Sequence, residues 1–88
     1  MDISKFESIM NDDDIGGIKL SETGCNAVNG LMIIQKYIPT RGVTGADHDV
    51  IFSVTSEEIL SAGITEDDAN ELRMYNWMLD DDRLACFV

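Results

Sequence analysis

The spacing of apolar positions changes several times along the chain, and each change marks an element boundary. Ile3, Phe6, Ile9 and Met10 recur three and four apart, which gathers them near one face of a helix. Ser4-Lys5-Phe6-Glu7 fits a capping box: the serine hydroxyl can accept an early helix N–H while the glutamate reaches back. A short helix is predicted over residues 5–11. It runs into Asn11-Asp12-Asp13-Asp14-Ile15-Gly16-Gly17, which is turn chemistry. A second helical period follows over residues 24–37. Ala27, Leu31, Ile34 and Ile38 form its stripe, Val28, Met32 and Tyr37 widen it, and Asn29 and Lys36 lie opposite. Gly30 suits close packing, and Pro39 disfavours helical geometry at Ile38. Met32-Ile33-Ile34 is also β-compatible, so a buried strand over 31–37 stands as the alternative reading.

After a linker over residues 39–46 the period drops to two. A strand over 47–54 is predicted, with His48, Val50, Phe52 and Val54 toward a core. Asp47, Asp49, Ile51 and Ser53 then face water or a partner. Thr55-Ser56-Glu57-Glu58 opens a short capped helix ending at Gly63, a residue suited to the left-handed position past a helix end. Thr65-Glu66-Asp67-Asp68 repeats the logic with Asp at the third helical position. That helix runs to about Tyr75, with Ala69, Leu72 and Tyr75 inward, Ile64 before the cap and Asn76 after the end. Trp77-Met78-Leu79 reads as a strand, Asp80-Asp81-Asp82-Arg83 as a hairpin turn, and residues 84–88 as the return strand. The return strand is apolar on both faces, so it is expected in the centre of the sheet or under cover. The implied architecture is α+β, a three-stranded, mainly antiparallel sheet with helices packed on one face.

Eighty-eight residues make one domain that buries only about 60–65% of its unfolded surface, so its core is small. The 44% apolar content argues against disorder. The longest apolar run, residues 30–34, is far short of a membrane span, and no secretory leader is expected. Cys25 and Cys86 form no C-x-x-C motif. They read as reduced thiols of a cytoplasmic protein, with a single disulfide between them left open.

Charge changes the picture most. Seventeen acids face six bases, for a net charge of −11. Residues 1–43 carry net −2 and residues 44–88 net −9. Nucleic acid and anionic membranes are poor partners for such a surface, and a basic protein is favoured.

The residues offer little for catalysis. His48 is the lone histidine and alternates with core-facing positions, while Asp47 and Asp49 in a strand would point away from it. Gly42-Val43-Thr44-Gly45 lacks the Lys-Ser/Thr and helix of a phosphate loop. No enzyme activity, cofactor or metal is expected. Asp12 and Asp14 fit the first and third positions of a calcium loop, but Gly16 and Thr23 fall on liganding positions and fail it. Loose cation binding by Asp13 and Glu22 is the residual possibility. Met32, Met74, Met78 and Trp77 read either as a soft interaction surface or as core filling.

Helix first turns and the hairpin turn account for eight of the eleven C-terminal acids without any partner. They do not account for the missing lysines. Carboxylates three or four apart on a helix lie about 5–6 Å apart, comparable with phosphate spacing along a nucleic-acid strand. Glu57, Glu58, Glu66, Asp67, Asp68 and Glu71, with Asp80, Asp81 and Asp82, are therefore the candidate partner-binding residues. They would form an acidic, nucleic-acid-like face for a cationic groove.

From residue 31 onward the chain resembles small acidic proteins of phages and prophages. The shared pattern is a helix closing in Lys36-Tyr37, the His48-Asp49-Val50-Ile51-Phe52 run, an acidic capped helix ending in Leu-x-x-Gly-Trp, and a last hairpin closing in Phe-Val. Here Asn76 replaces the glycine before Trp77. The resemblance implies an inhibitor of bacterial defence, in particular an anti-CRISPR protein. Such a protein would act in the host cytoplasm, as monomer or homodimer, on a basic CRISPR effector subunit. A phage structural or regulatory protein acting through dimerisation, and a weak metal-binding module, are the alternatives.

Overall fold

The computed structural model describes residues 1–17 and 25–87. Glu22, Thr23 and Gly24, named in the calcium-loop and second-helix readings, lie outside the described residues, as does Val88 at the end of the return strand.

The first helix, α1 (Ile3–Met10), is capped by Asp2 rather than Ser4. The Asp2 carboxylate accepts the Lys5 N–H at 2.8 Å, so the helix starts before residue 5. An aspartate in this position satisfies a free N–H and also sets a negative charge at the positive end of the helix dipole. Phe6, Ile9 and Met10 are buried while Ile3 is exposed.

Residues 31–37 are helical, which removes the strand alternative: α2 spans Asn26–Tyr37 and stops before Pro39. Its buried stripe is narrower than its sequence suggests. Ala27 and Ile34 are buried, Leu31 and Tyr37 half-buried, and Val28 and Met32 exposed. The close approach falls at Gly30. A Cβ there would lie 1.8 Å from Nε1 of Trp77. The indole is fully buried, and its N–H donates to the Asn26 carbonyl at 3.1 Å. A glycine in mid-helix costs about 1 kcal/mol of propensity; here it opens the notch in which the largest core side chain sits.

The sheet has four antiparallel strands, not three, in the order β1-β2-β4-β3. The strand expected over residues 47–54 is divided. Its first residue belongs to β1 (Gly45–Asp47), which takes in the end of the expected linker, and the rest forms β2 (Val50–Thr55). His48 and Asp49 make the turn between them. His48 adopts φ 52°, a left-handed conformation that His tolerates better than most residues. Its side chain is 92% exposed and stands 3.7 Å from the Asp47 carboxylate, so neither the core position nor the opposed aspartates expected of it hold.

The two helices α3 (Ser56–Ser61) and α4 (Glu66–Met74) follow their sequence signals, with Gly63 at φ 91° and Asn76 at φ 67° past their ends. The last hairpin is β3 (Trp77–Asp80) and β4 (Arg83–Phe87). As its two apolar faces imply, β4 is interior to the sheet, between β2 and β3.

Register decides which residues face the helices. Ile51, Cys86 and Trp77 are cross-strand neighbours and share one face with the Leu84–Leu79 pair. All five belong to the hydrophobic cluster or pack against it, together with Phe6, Ile34, Ile59 and Leu72 from the four helices. Gly45, Phe52, Ala85 and Met78 are likewise cross-strand neighbours, on the opposite face. Val50 and Phe52 therefore point away from the helices, against the alternation expected for this strand. The reason is a β-bulge: between Phe52 and Thr55 β2 carries one residue more than β4. The extra residue returns Val54, fully buried, to the cluster. Ser53 is buried at the bulge and donates its hydroxyl to the Gly42 carbonyl at 2.6 Å.

Replacing Gly30 by Ala in an exposed helix would raise stability. Here the methyl group collides with a fully buried indole, and Gly30→Ala is expected to cost about 1–3 kcal/mol. Urea denaturation followed by Trp77 fluorescence checks this; a raised midpoint would contradict the notch.

Candidate partner-binding surface

The nine candidate acids do not form one field. Two are built into the fold. Glu58 completes the α3 capping box: the Thr55 hydroxyl accepts the Glu58 N–H at 3.1 Å, and Glu58 Oε1 accepts the Thr55 N–H at 3.1 Å. Its other oxygen accepts from Arg41 at 2.6 Å. The Thr55 backbone N–H, then the Thr55 hydroxyl and Arg41, hold this carboxyl below its ordinary range.

Asp68 departs from the box expected at α4. Its N–H reaches the Thr65 hydroxyl at 3.2 Å, but the carboxylate, one methylene shorter than Glu, does not accept the Thr65 backbone N–H. The Tyr37 hydroxyl takes that place, accepting the Thr65 N–H at 3.3 Å and donating to Asp68 Oδ2. Lys36 donates to the same oxygen at 2.8 Å. Lys36 first and Tyr37 second draw the Asp68 carboxyl below its ordinary value, and Asp68 in turn raises Lys36. The pair fastens α4 to the end of α2.

The remaining acids lie in two places. On α4, Glu66 is exposed and stands 3.4 Å from Lys5 of α1, Asp67 is exposed, and Glu71 is half-buried. The other group is assembled by backbone geometry. The Ser56 N–H donates to the Asp82 carbonyl at 2.7 Å and the Ser56 hydroxyl to the same oxygen at 3.1 Å. These bonds seat the β3–β4 turn against the first residues of α3. Glu57, Asp80, Asp81 and Asp82 thus share one corner; all are exposed, and none makes an ion pair with a described residue. Arg83, the base nearest in sequence, does not neutralise them. Its guanidinium lies over the Phe52 ring, 3.9 Å from the centroid.

The Asp12, Asp13 and Asp14 loop also has a role that spacing did not reveal. The Arg73 side chain, 8% exposed, reaches into it from α4. Its Nε donates to the Asp12 carbonyl at 3.0 Å, Nη1 to the Trp77 carbonyl at 3.0 Å, and Nη2 to Asp13 Oδ1 at 3.3 Å. Asp12 Oδ1 accepts the Asp14 N–H at 2.9 Å. The loop holds a cation, and the cation is the protein's own. Arg73 and the loop are about sixty residues apart, so no local motif announces them. Among the described residues no group of three or more His, Cys, Asp and Glu, this loop included, is arranged to hold a metal ion.

Cys25 and Cys86 are unbridged thiols. Burial first, and the neighbouring Cys25 second, push the Cys86 thiol up to about 11. Among the described residues no helix is long and apolar enough to cross a membrane.

Comparison with protein-family models, with curated proteins and with solved structures gives no match.

Two predictions follow from the internal pairs. Removing the Arg73 guanidinium leaves two backbone carbonyls and a buried hole, so Arg73→Met is expected to cost about 3 kcal/mol. Asp13→Asn, changed at an almost fully exposed carboxylate, stays within about 0.5 kcal/mol. Chemical denaturation of both variants decides between a fold-bearing arginine and an idle one. Glu58 and Asp68 both have lowered folded-state values. Their contribution is therefore complete above the ordinary carboxylate range and is lost as pH falls through the folded values. Thermal unfolding from neutral to acidic pH should show this loss, reduced in Asp68→Asn.

Proposed function

We propose that the protein is a non-enzymatic ligand of a basic protein surface. It presents the corner formed by Glu57, Asp80, Asp81 and Asp82, with Glu66 and Asp67 as outlying charges. The observation that carries this reading is that the Ser56–Asp82 hydrogen bonds gather four exposed carboxylates that pair with no described base. Other acids of the same half, Glu58 and Asp68, are consumed by internal bonds. Concentrated like charge destabilises a small domain, and nothing within the described fold offsets it here. Asp81 adds to this. It sits at φ 56°, where glycine would be less strained, yet the position carries a charge.

The resemblance to small acidic phage proteins sets the biological context. On this reading the protein is an anti-defence inhibitor that occupies the nucleic-acid groove of a CRISPR effector complex in the bacterial host cytoplasm. Its carboxylates stand where phosphates would lie.

The test is binding to purified effector complexes at about 50 mM and about 300 mM salt, where screening separates charge-driven from apolar contact. Affinity should fall steeply with salt. The combined Asp80→Asn, Asp81→Asn, Asp82→Asn variant should bind at least about tenfold more weakly, roughly 1.4 kcal/mol. Asp81→Gly is the sharper probe. It should gain about 0.5 kcal/mol of stability while losing affinity. Salt-independent binding, or no binding to any effector, would remove the proposal.

A further inference from the structure

The fold gathers the two cysteines at one place, and the proposed function uses neither. Cys86 lies on β4 directly opposite Trp77 of β3, and both belong to the cluster under the helices. The Trp77 indole reaches α2 and donates to the Asn26 carbonyl at 3.1 Å. Cys25 precedes Asn26 and is the N-cap residue of α2. It is half-buried and packs against the cluster that holds Cys86 and Trp77. Trp77 therefore fixes both positions, Cys86 through the strand pairing and Cys25 through the indole N–H. α2 itself packs on β4 as well as on β3. The two thiols are also near enough that Cys25 contributes to raising the Cys86 pKa.

We propose that Cys25 and Cys86 form a redox modification site. A low-molecular-weight disulfide converts the two thiols into one intramolecular bridge, which clamps the start of α2 to β4. The inference is independent of the acidic corner and adds a second covalent state of the fold.

The thiols take different parts. Cys25 is the accessible one, whereas Cys86 is 1% exposed. Burial, which pushes the Cys86 thiol up to about 11, keeps it protonated and leaves Cys25 to meet the reagent first. In the first step the Cys25 thiolate attacks one sulfur of the reagent. The reagent S–S bond breaks, a mixed disulfide forms and one reagent thiolate leaves. In the second step the Cys86 thiol gives up its proton and attacks the Cys25 sulfur. The mixed S–S bond breaks, the protein bridge forms and the second reagent thiolate takes up a proton. Two protein thiols are oxidised and one reagent disulfide is reduced to two thiols. The second step needs the two Cα atoms within about 7 Å, so in the folded domain only a thiol already packed beside Cys25 completes it. The ring so closed spans about sixty residues, and closing a long ring removes much of the freedom of the unfolded chain. Oxidation thus stabilises the fold.

The test places the full-length protein in buffers of oxidised and reduced glutathione, folded and in urea. Iodoacetamide blocks remaining thiols before intact-mass and peptide analysis. The bridged product should lack two hydrogens, resist alkylation, join the Cys25 and Cys86 peptides within one chain and revert with dithiothreitol. Its equilibrium constant should be at least about thirtyfold larger in the folded protein than in urea. Its thermal midpoint should lie at least about 10 °C above that of the reduced protein. Cys25→Ser should show no midpoint shift in the same buffers; serine is a favoured N-cap, so this variant keeps the fold. Cys86→Ala should stop at a glutathione adduct on Cys25. A lasting adduct on Cys25 of the unaltered protein would overturn the proposal, because Cys86 then does not reach it. So would chains linked to each other through Cys25, equal bridging constants in folded and unfolded protein, a bridge that lowers the midpoint, or no reaction of either thiol.

Discussion

The packing of the Trp77 indole against bare backbone is the constraint on which the rest of the structure depends. The ring is wholly buried, so its N–H must find an acceptor inside; the Asn26 carbonyl supplies it. That bond brings α2 close enough to β3 that the facing helix position can carry no side chain, which Gly30 provides. The strand carbonyl of the same tryptophan takes Arg73, and through Arg73 the acidic loop after α1 is drawn in. One side chain and its own backbone thus tie together elements that sequence separates widely. A domain this small has little else with which to fix its layers.

The acidic character divides along a physical line. Carboxylates that face a neighbouring element are consumed: Glu58 by its cap and Arg41, Asp68 by Tyr37 and Lys36, Asp13 by Arg73. Those at the β3–β4 turn and at Glu57 are exposed and pair with no described base, Arg83 being turned onto the Phe52 ring. Net charge alone does not distinguish the two groups. Position does, because an ion pair needs its partner within about 4 Å and an element to hold it there.

Much of the fold was legible because its signals are local. The α3 capping box, Gly63, Asn76 and the Pro39 stop each depend on a few adjacent residues, and the doubly apolar 84–87 run placed β4 inside the sheet. The failures have equally definite causes. His48 alternates with apolar residues and so read as strand, although Asp47-His48-Asp49 is also a polar triplet suited to a turn. A bulge adds one residue without changing composition, and that one residue inverts which side of β2 meets the helices. The acidic corner was legible as residues but not as a place, because the Ser56–Asp82 contact that assembles it spans the intervening α4 and β3. Arg73 was missed altogether: its partners are distant in sequence, and an arginine late in an amphipathic helix looks like a surface residue.

The order of strands has a consequence for how the chain reaches this state. Of the four strands, β4 is made last, yet it pairs with β2 on one side and β3 on the other. Until residues 83–87 arrive, the β1–β2 hairpin has one long unprotected margin, with Phe52 and Val54 bare on its two sides. Such a margin is a template for pairing with another nascent chain. Closing the sheet also requires a contact between residues about thirty apart, which is slow compared with forming a helix. The interval between synthesis of β2 and capture of β4 is therefore when this protein is most vulnerable to aggregation. The carboxylates already present at that stage repel neighbouring chains through the interval.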